Sequence, residues 1–79
     1  MKIRDIIKNR ILELCDAKNM TINKLATEAG LSPSSLKSIL YGKSQNPGIV
    51  TLKIICDGLG ITISEFFDTV EFRTAEQEI

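Results

Sequence analysis

The chain has 79 residues, ten basic and ten acidic, with 43% apolar side chains and no His or Trp. That is enough for one small core, but too little for a second domain or a deep enzyme cleft. Without His there is no common general base or Ser-His or Cys-His nucleophile pair, and the commonest metal ligand is missing. No catalytic residue, metal site or cofactor is therefore expected.

Cys15 and Cys56 lack the close spacing of a zinc pair and are too few for a disulfide scaffold. Each falls in an apolar helical stripe, so both read as buried free thiols. No apolar run approaches the roughly 20 residues a membrane span needs. The charged, isoleucine-rich start does not resemble a signal peptide. A cytoplasmic protein with no membrane partner is expected. Residues 1–48 hold eight bases and four acids, and residues 49–79 hold two bases and six acids. The zero net charge thus conceals a dipolar chain whose first half suits an anionic partner.

No stretch sustains period-2 alternation, so an all-α fold is expected. Ile3, Ile6, Ile7, Ile11, Leu14 and Cys15 recur at helical spacing and predict a first helix over 3–18. Its bases Lys2, Arg4, Lys8 and Arg10 read as a solvated face, with a lesser alternative that some extend the anion-binding footprint. Thr21 is an N-cap candidate for a second helix carrying Ile22, Leu25, Ala26 and Ala29. Gly30 suits a left-handed exit. Ser32-Pro33 is a cap followed by proline at the first helical position, and it opens a third helix with Leu36, Ile39 and Leu40 on its inner side. After the polar loop 43–48, Ile49, Leu52, Ile55, Cys56 and Leu59 mark the inner stripe of a fourth helix. Thr62 and Glu65 form a capping box for a short fifth helix, with Ile61 as a hydrophobic staple against Phe66. Ile63, Phe66 and Phe67 are expected in the core or at a subunit interface. The remainder, 69–79, reads as an acidic tail after a domain over 1–68.

The informative unit is TINKLATEAGLSPSSLKSILYG, Thr21 to Gly42. Two short helices joined by Gly30-Leu31-Ser32 must cross steeply. Ala26 is small where the backbones approach, and Gly30 tolerates positive φ. This unit, with NPGIVTLKIICDGLGITISEFF (Asn46 to Phe67) after it, resembles the phage-repressor and Cro-like regulators of the XRE family over most of 3–68. The resemblance implies a compact five-helix bundle of the lambda-repressor-like DNA-binding type. It also implies sequence-specific binding to double-stranded DNA, with the third helix in the major groove, and transcriptional regulation, expected as repression.

On a helical wheel Ser34, Lys37, Ser38 and Tyr41 lie opposite Leu36, Ile39 and Leu40. A helix entering the major groove end-on reads bases with its first turns. Lys37 is the candidate for a guanine O6/N7 contact. The resemblance implies base contact from Pro33, Ser34, Lys37 and Ser38, the proline only through apolar surface. Phosphate contacts are expected from Thr21, by resemblance, and from Lys24, Tyr41, Lys43, Ser44, Gln45 and Asn46 around the third helix, with stacking of Tyr41 on a neighbour an equal alternative. The chain departs from the family at Ile22, where many members carry a phosphate-touching Gln. Few phosphate contacts per copy argue for a homodimer on DNA, through the fifth helix and the apolar residues of the tail. The alternatives on the same fold are an antitoxin whose tail binds a partner protein and a protein-interaction module without DNA binding.

Overall fold

The computed structural model describes residues 2–42 and 47–75. Among them every regular element is a helix: α1 (Ile3–Ala17), α2 (Ile22–Ala29), α3 (Pro33–Tyr41), α4 (Ile49–Leu59), α5 (Ile63–Phe67) and α6 (Val70–Arg73). The described residues thus hold six helices rather than five. The sixth arises because Phe72, in the acidic segment after Phe67, packs onto the core. Phe66, Phe67 and Phe72 form an aromatic trio with centroid separations of 5.0, 5.8 and 4.7 Å. The Thr69 hydroxyl accepts from the Phe72 N–H and starts the extra turn.

Three of the junctions between helices use the same device. A left-handed residue ends one helix: Asn19 (φ 52°), Gly30 (φ 71°) or Gly60 (φ 74°). An apolar residue follows, and its N–H bonds back five residues: Met20 to the Cys15 carbonyl at 2.8 Å, Leu31 to Ala26 at 2.8 Å, and Ile61 to Cys56 at 3.0 Å. This geometry satisfies carbonyls that the helix end would otherwise leave bare. A hydroxyl residue comes next and caps the following helix: Thr21 accepts from Lys24 N–H, Ser32 from Ser35 N–H and Thr62 from Glu65 N–H. Met20, Leu31 and Ile61 each turn inward against the core. Each chain reversal is thereby fixed by one half-buried side chain and two sets of satisfied backbone groups. At Thr62 the capping box is complete.

The core unites all the major helices. Ile11, Leu25, Ala26, Leu36, Leu40, Ile55, Cys56 and Phe66 are fully buried, with Ile6, Cys15, Leu52 and Leu59 nearly so. Ile22 packs against this cluster. That apolar side chain therefore serves the interior. The packing of α2 is broadest against α4. Their backbones meet at Gly58, where an added Cβ would lie 3.0 Å from both the N and the Cβ of Ala29. Ala26 is sealed inside as the tight crossing requires.

Two sequence expectations are corrected here. Ile49 was expected on the inner stripe of α4, but it is 61% exposed. Its spacing suits the stripe, yet it is the first helical residue, where the helix has already passed the edge of the core. Arg10 was expected on a solvated face, yet its side chain is only 15% exposed. Its guanidinium donates to the Phe66 carbonyl at 2.9 Å and to the Glu65 carbonyl at 2.8 Å, and pairs with Glu13 at 3.0 Å. The end of a five-residue helix has carbonyls without helical partners, and the planar donor array of arginine matches two of them.

Candidate nucleic-acid interface

Helix α3 begins with Ser32 as cap and Pro33 at the first helical position, where a missing N–H costs nothing. Leu36 and Leu40 anchor it from beneath, both fully buried, and Ile39 packs beside them. With that side fixed, the rest of the helix faces outward. Pro33, Ser34, Lys37 and Ser38 are all exposed, and Tyr41 is 57% exposed. Residues 34, 37, 38 and 41 follow one another at three- and four-residue steps, so they form one continuous stripe along the helix.

The first turn of α3 carries a small hydroxyl network. The Ser32 hydroxyl donates to Ser35 Oγ at 2.8 Å and lies 3.3 Å from Ser34 Oγ. It also accepts from the Ser35 N–H at 3.2 Å. Ser34 is therefore oriented by its neighbours as well as offered outward. Ser35 acts as part of the cap.

Thr21 stands at the start of α2 and is exposed. Its Oγ1 accepts from the Lys24 N–H at 3.0 Å, which leaves its own proton to donate outward. The Ile22 and Asn23 amides of the same turn have no acceptor one turn back, so this end favours an anion. Lys24 Nζ sits 2.9 Å from Glu28 Oε1. The Glu28 hydrogen bond, then its charge, pushes the Lys24 pKa up, so the ammonium keeps its proton at any physiological pH. Any anion approaching Lys24 would compete with Glu28 for it. Lys43, Ser44, Gln45 and Asn46 lie outside the described residues.

One contact was not legible in the sequence. Lys8 on α1 holds its Nζ 4.9 Å from the centre of the Tyr41 ring. Nothing in the spacing of residues 8 and 41 signals this, because it depends on how α1 crosses the end of α3. Cys15 and Cys56 are both buried free thiols. Among the described residues no group of His, Cys, Asp and Glu gathers to hold a metal ion, and no helix is long and apolar enough to cross a membrane.

Residues 10–71 match the Cro/C1-type HTH DNA-binding domain family. The HTH-type transcriptional regulator SlrR of Bacillus subtilis (strain 168) is 39% identical over 51 residues, which is 65% of this chain and 34% of SlrR. The chain therefore spans about a third of the length of that curated relative. Among solved structures, prophage Lp1 protein 11 superposes with a TM-score of 0.82 at 34% identity, over 95% of this chain and 100% of that one. The wild-type restriction-modification controller protein C.Esp1396I superposes with a TM-score of 0.74 at 26% identity, over 82% of this chain and 83% of that one. The nucleoprotein complex of C.Esp1396I gives a TM-score of 0.77 at 25% identity, over 86% and 87%. The family match covers most of the chain and includes both α2 and α3, so the chain belongs to the Cro/C1-type helix-turn-helix DNA-binding domain family.

Proposed function

We propose that this chain binds duplex DNA sequence-specifically as a homodimer and represses transcription from the sites it occupies. The observation that carries the reading is the two-sided build of α3: Leu36 and Leu40 sealed in the core, with Ser34, Lys37 and Ser38 outward. Nine residues at about 1.5 Å each give a rod about 13 Å long, comparable with the roughly 12 Å width of the major groove. Lys37 donates to a guanine edge. Ser34 and Ser38 pair with base edges of either polarity, and Pro33 meets a thymine methyl. Thr21 and Lys24 hold phosphates and fix the register. Lys43, Ser44, Gln45 and Asn46, which follow α3 in sequence, complete the backbone set.

So few charges support only weak binding by one copy, since each neutralised phosphate adds only about 0.9 to the salt slope. Two copies on a pseudo-palindrome double the contacts. Val70, exposed on α6 next to the aromatic trio, is an apolar contribution to such an interface. Occupancy of an operator by so small a domain acts most simply by blocking other proteins, hence repression.

The test is selection of bound sites from a random duplex pool. The expected result is enrichment of a pseudo-palindrome with half-sites about one helical turn apart. A pool that stays random after repeated selection at low salt overturns the reading.

A further inference from the structure

The DNA-facing stripe of α3 does not end with the helix. It runs from Ser34 through Lys37 and Ser38 to Tyr41, and Tyr41 touches Lys8 of α1. The geometry points to Lys8 as a phosphate-binding residue outside the helix-turn-helix unit, with the Tyr41 ring acting as the platform that positions it. This inference rests on the DNA-binding reading and extends it to a helix that the motif does not include.

Three observations support it. First, the Lys8 ammonium lies 4.9 Å from the ring centroid, within the range where a cation is drawn to an aromatic face. A lysine normally loses much rotamer freedom when it grips a phosphate, and one already resting on a ring loses less. Second, Tyr41 is the last residue of α3 and is 57% exposed although large and aromatic. Its ring therefore contributes little to the core, and Lys8 is the side chain it carries. Third, Lys37 is the only base within α3 itself. Lys8 places a second cation at the far end of the stripe, a helix length from the first turn, where a recognition helix leaves the groove and passes the sugar-phosphate strand. Tyr41 is thus a positioning residue, and the contact belongs to the ammonium.

The experiment is fluorescence anisotropy with the full chain on two labelled duplexes, one carrying the selected site and one scrambled, titrated from about 50 to about 300 mM KCl. The variants are Lys8→Met, Tyr41→Phe, Tyr41→Leu and the double change Lys8→Met with Tyr41→Leu. Lys53→Met on α4 is the control for the loss of one surface charge. Lys8→Met is expected to reduce the salt slope by about 0.9 per protomer on both duplexes, and to weaken binding on the order of eightfold per protomer at about 0.1 M salt. Tyr41→Phe keeps the ring and is expected to bind like the parent. Tyr41→Leu loses the platform and is expected to weaken both duplexes about threefold, but to add nothing in the Lys8→Met background. A parent that binds while Lys8→Met retains its slope overturns this inference alone. So does a Tyr41→Phe variant as weak as Tyr41→Leu, since the contact would then belong to the hydroxyl. A parent that binds neither duplex overturns the DNA-binding reading and this inference together.

Discussion

Arg10 on α1 donates from Nε to the carbonyl of Phe66, 2.9 Å away and 56 residues later in the chain. That bond, with a second to the Glu65 carbonyl, ties the end of α5 to the first helix. Charge-assisted hydrogen bonds of this kind contribute about 1.5–3 kcal/mol when their partners are shielded from water. The exposed pair with Glu13 adds little. Arg10→Met keeps most of the apolar stem but leaves two carbonyls bare. It should lower stability by about 1–3 kcal/mol in urea unfolding, with Arg10→Lys recovering only part because an ammonium cannot fork. An unchanged midpoint for Arg10→Met would show that water replaces the guanidinium without loss.

Gly58 sets two effects against each other. Intrinsic helix propensity favours alanine over glycine by about 1 kcal/mol, so Gly58→Ala should stabilise an isolated α4. In the folded chain the new Cβ would meet the Ala29 N and Cβ at 3.0 Å and Cα at 3.1 Å. One of these atoms is a side-chain methyl, but the other two are backbone and cannot swing away. Overpacking of this kind costs about 1–3 kcal/mol, so the clash wins. The variant should melt below the parent, and α2 should shift on α4. Adding Ala29→Gly removes the methyl but leaves the backbone contacts, so it restores only part of the loss. A Gly58→Ala variant more stable than the parent would mean that the two helices separate freely.

The sequence made the recognition unit legible because local rules decide it. Thr21, Ser32 and Thr62 announce themselves as caps, and Gly30 as a left-handed exit. The three- and four-residue recurrence of Leu36, Ile39 and Leu40 fixes which side of α3 faces out. Arg10 was illegible for the opposite reason. Its spacing on α1 places it among other bases, and only the tertiary approach of α5 turns it inward. Gly58 carries no local signal of its role, since the need for it comes from α2. Asn19 gave no sign of its positive φ beyond a tolerance that asparagine shares with glycine. Ile49 misled because periodicity says which side of a helix a residue takes, but not whether the core extends that far. Phe72 sat among acids that suggested a solvated tail, and two aromatic partners outweighed them.

Lys37 is the sharpest test of base reading. Lys37→Ala should flatten the preference at one position of each half-site by about 1–3 kcal/mol of discrimination, while leaving the fold intact because the residue is exposed. Thr21→Val should behave differently. It removes a helix cap that contributes about 1 kcal/mol to stability, together with the phosphate donor proposed above, so it should weaken binding to all sequences alike. The two are separated by repeating site selection with each variant. A Lys37→Ala variant that selects the parental site with parental sharpness would remove that lysine from the base-reading set.

The two buried thiols make a prediction about pH. Burial pushes the Cys15 thiol above its ordinary value. Burial does the same to Cys56, with the Asp57 charge adding to it and Lys53 opposing it. A folded thiol of raised pKa keeps its proton after the unfolded one, near pH 8.5, has lost it. Between the two values the folded state binds more protons, so stability falls as pH rises. The thiol contribution is fully present below the unfolded pKa and is lost as pH climbs through the folded one. Urea midpoints should therefore be flat from about pH 6 to 8 and decline above about 8.5. The comparison that isolates the thiols is with the double variant Cys15→Ala and Cys56→Ala. That variant should be less stable at neutral pH, through the small cavities it creates, yet decline less steeply above pH 8.5. Native alkylation should be correspondingly slow and should accelerate in step with urea unfolding, because the reactive thiolate forms only in the open chain. Parallel pH profiles for parent and variant, or rapid alkylation of the folded chain, would show that these thiols reach solvent without unfolding.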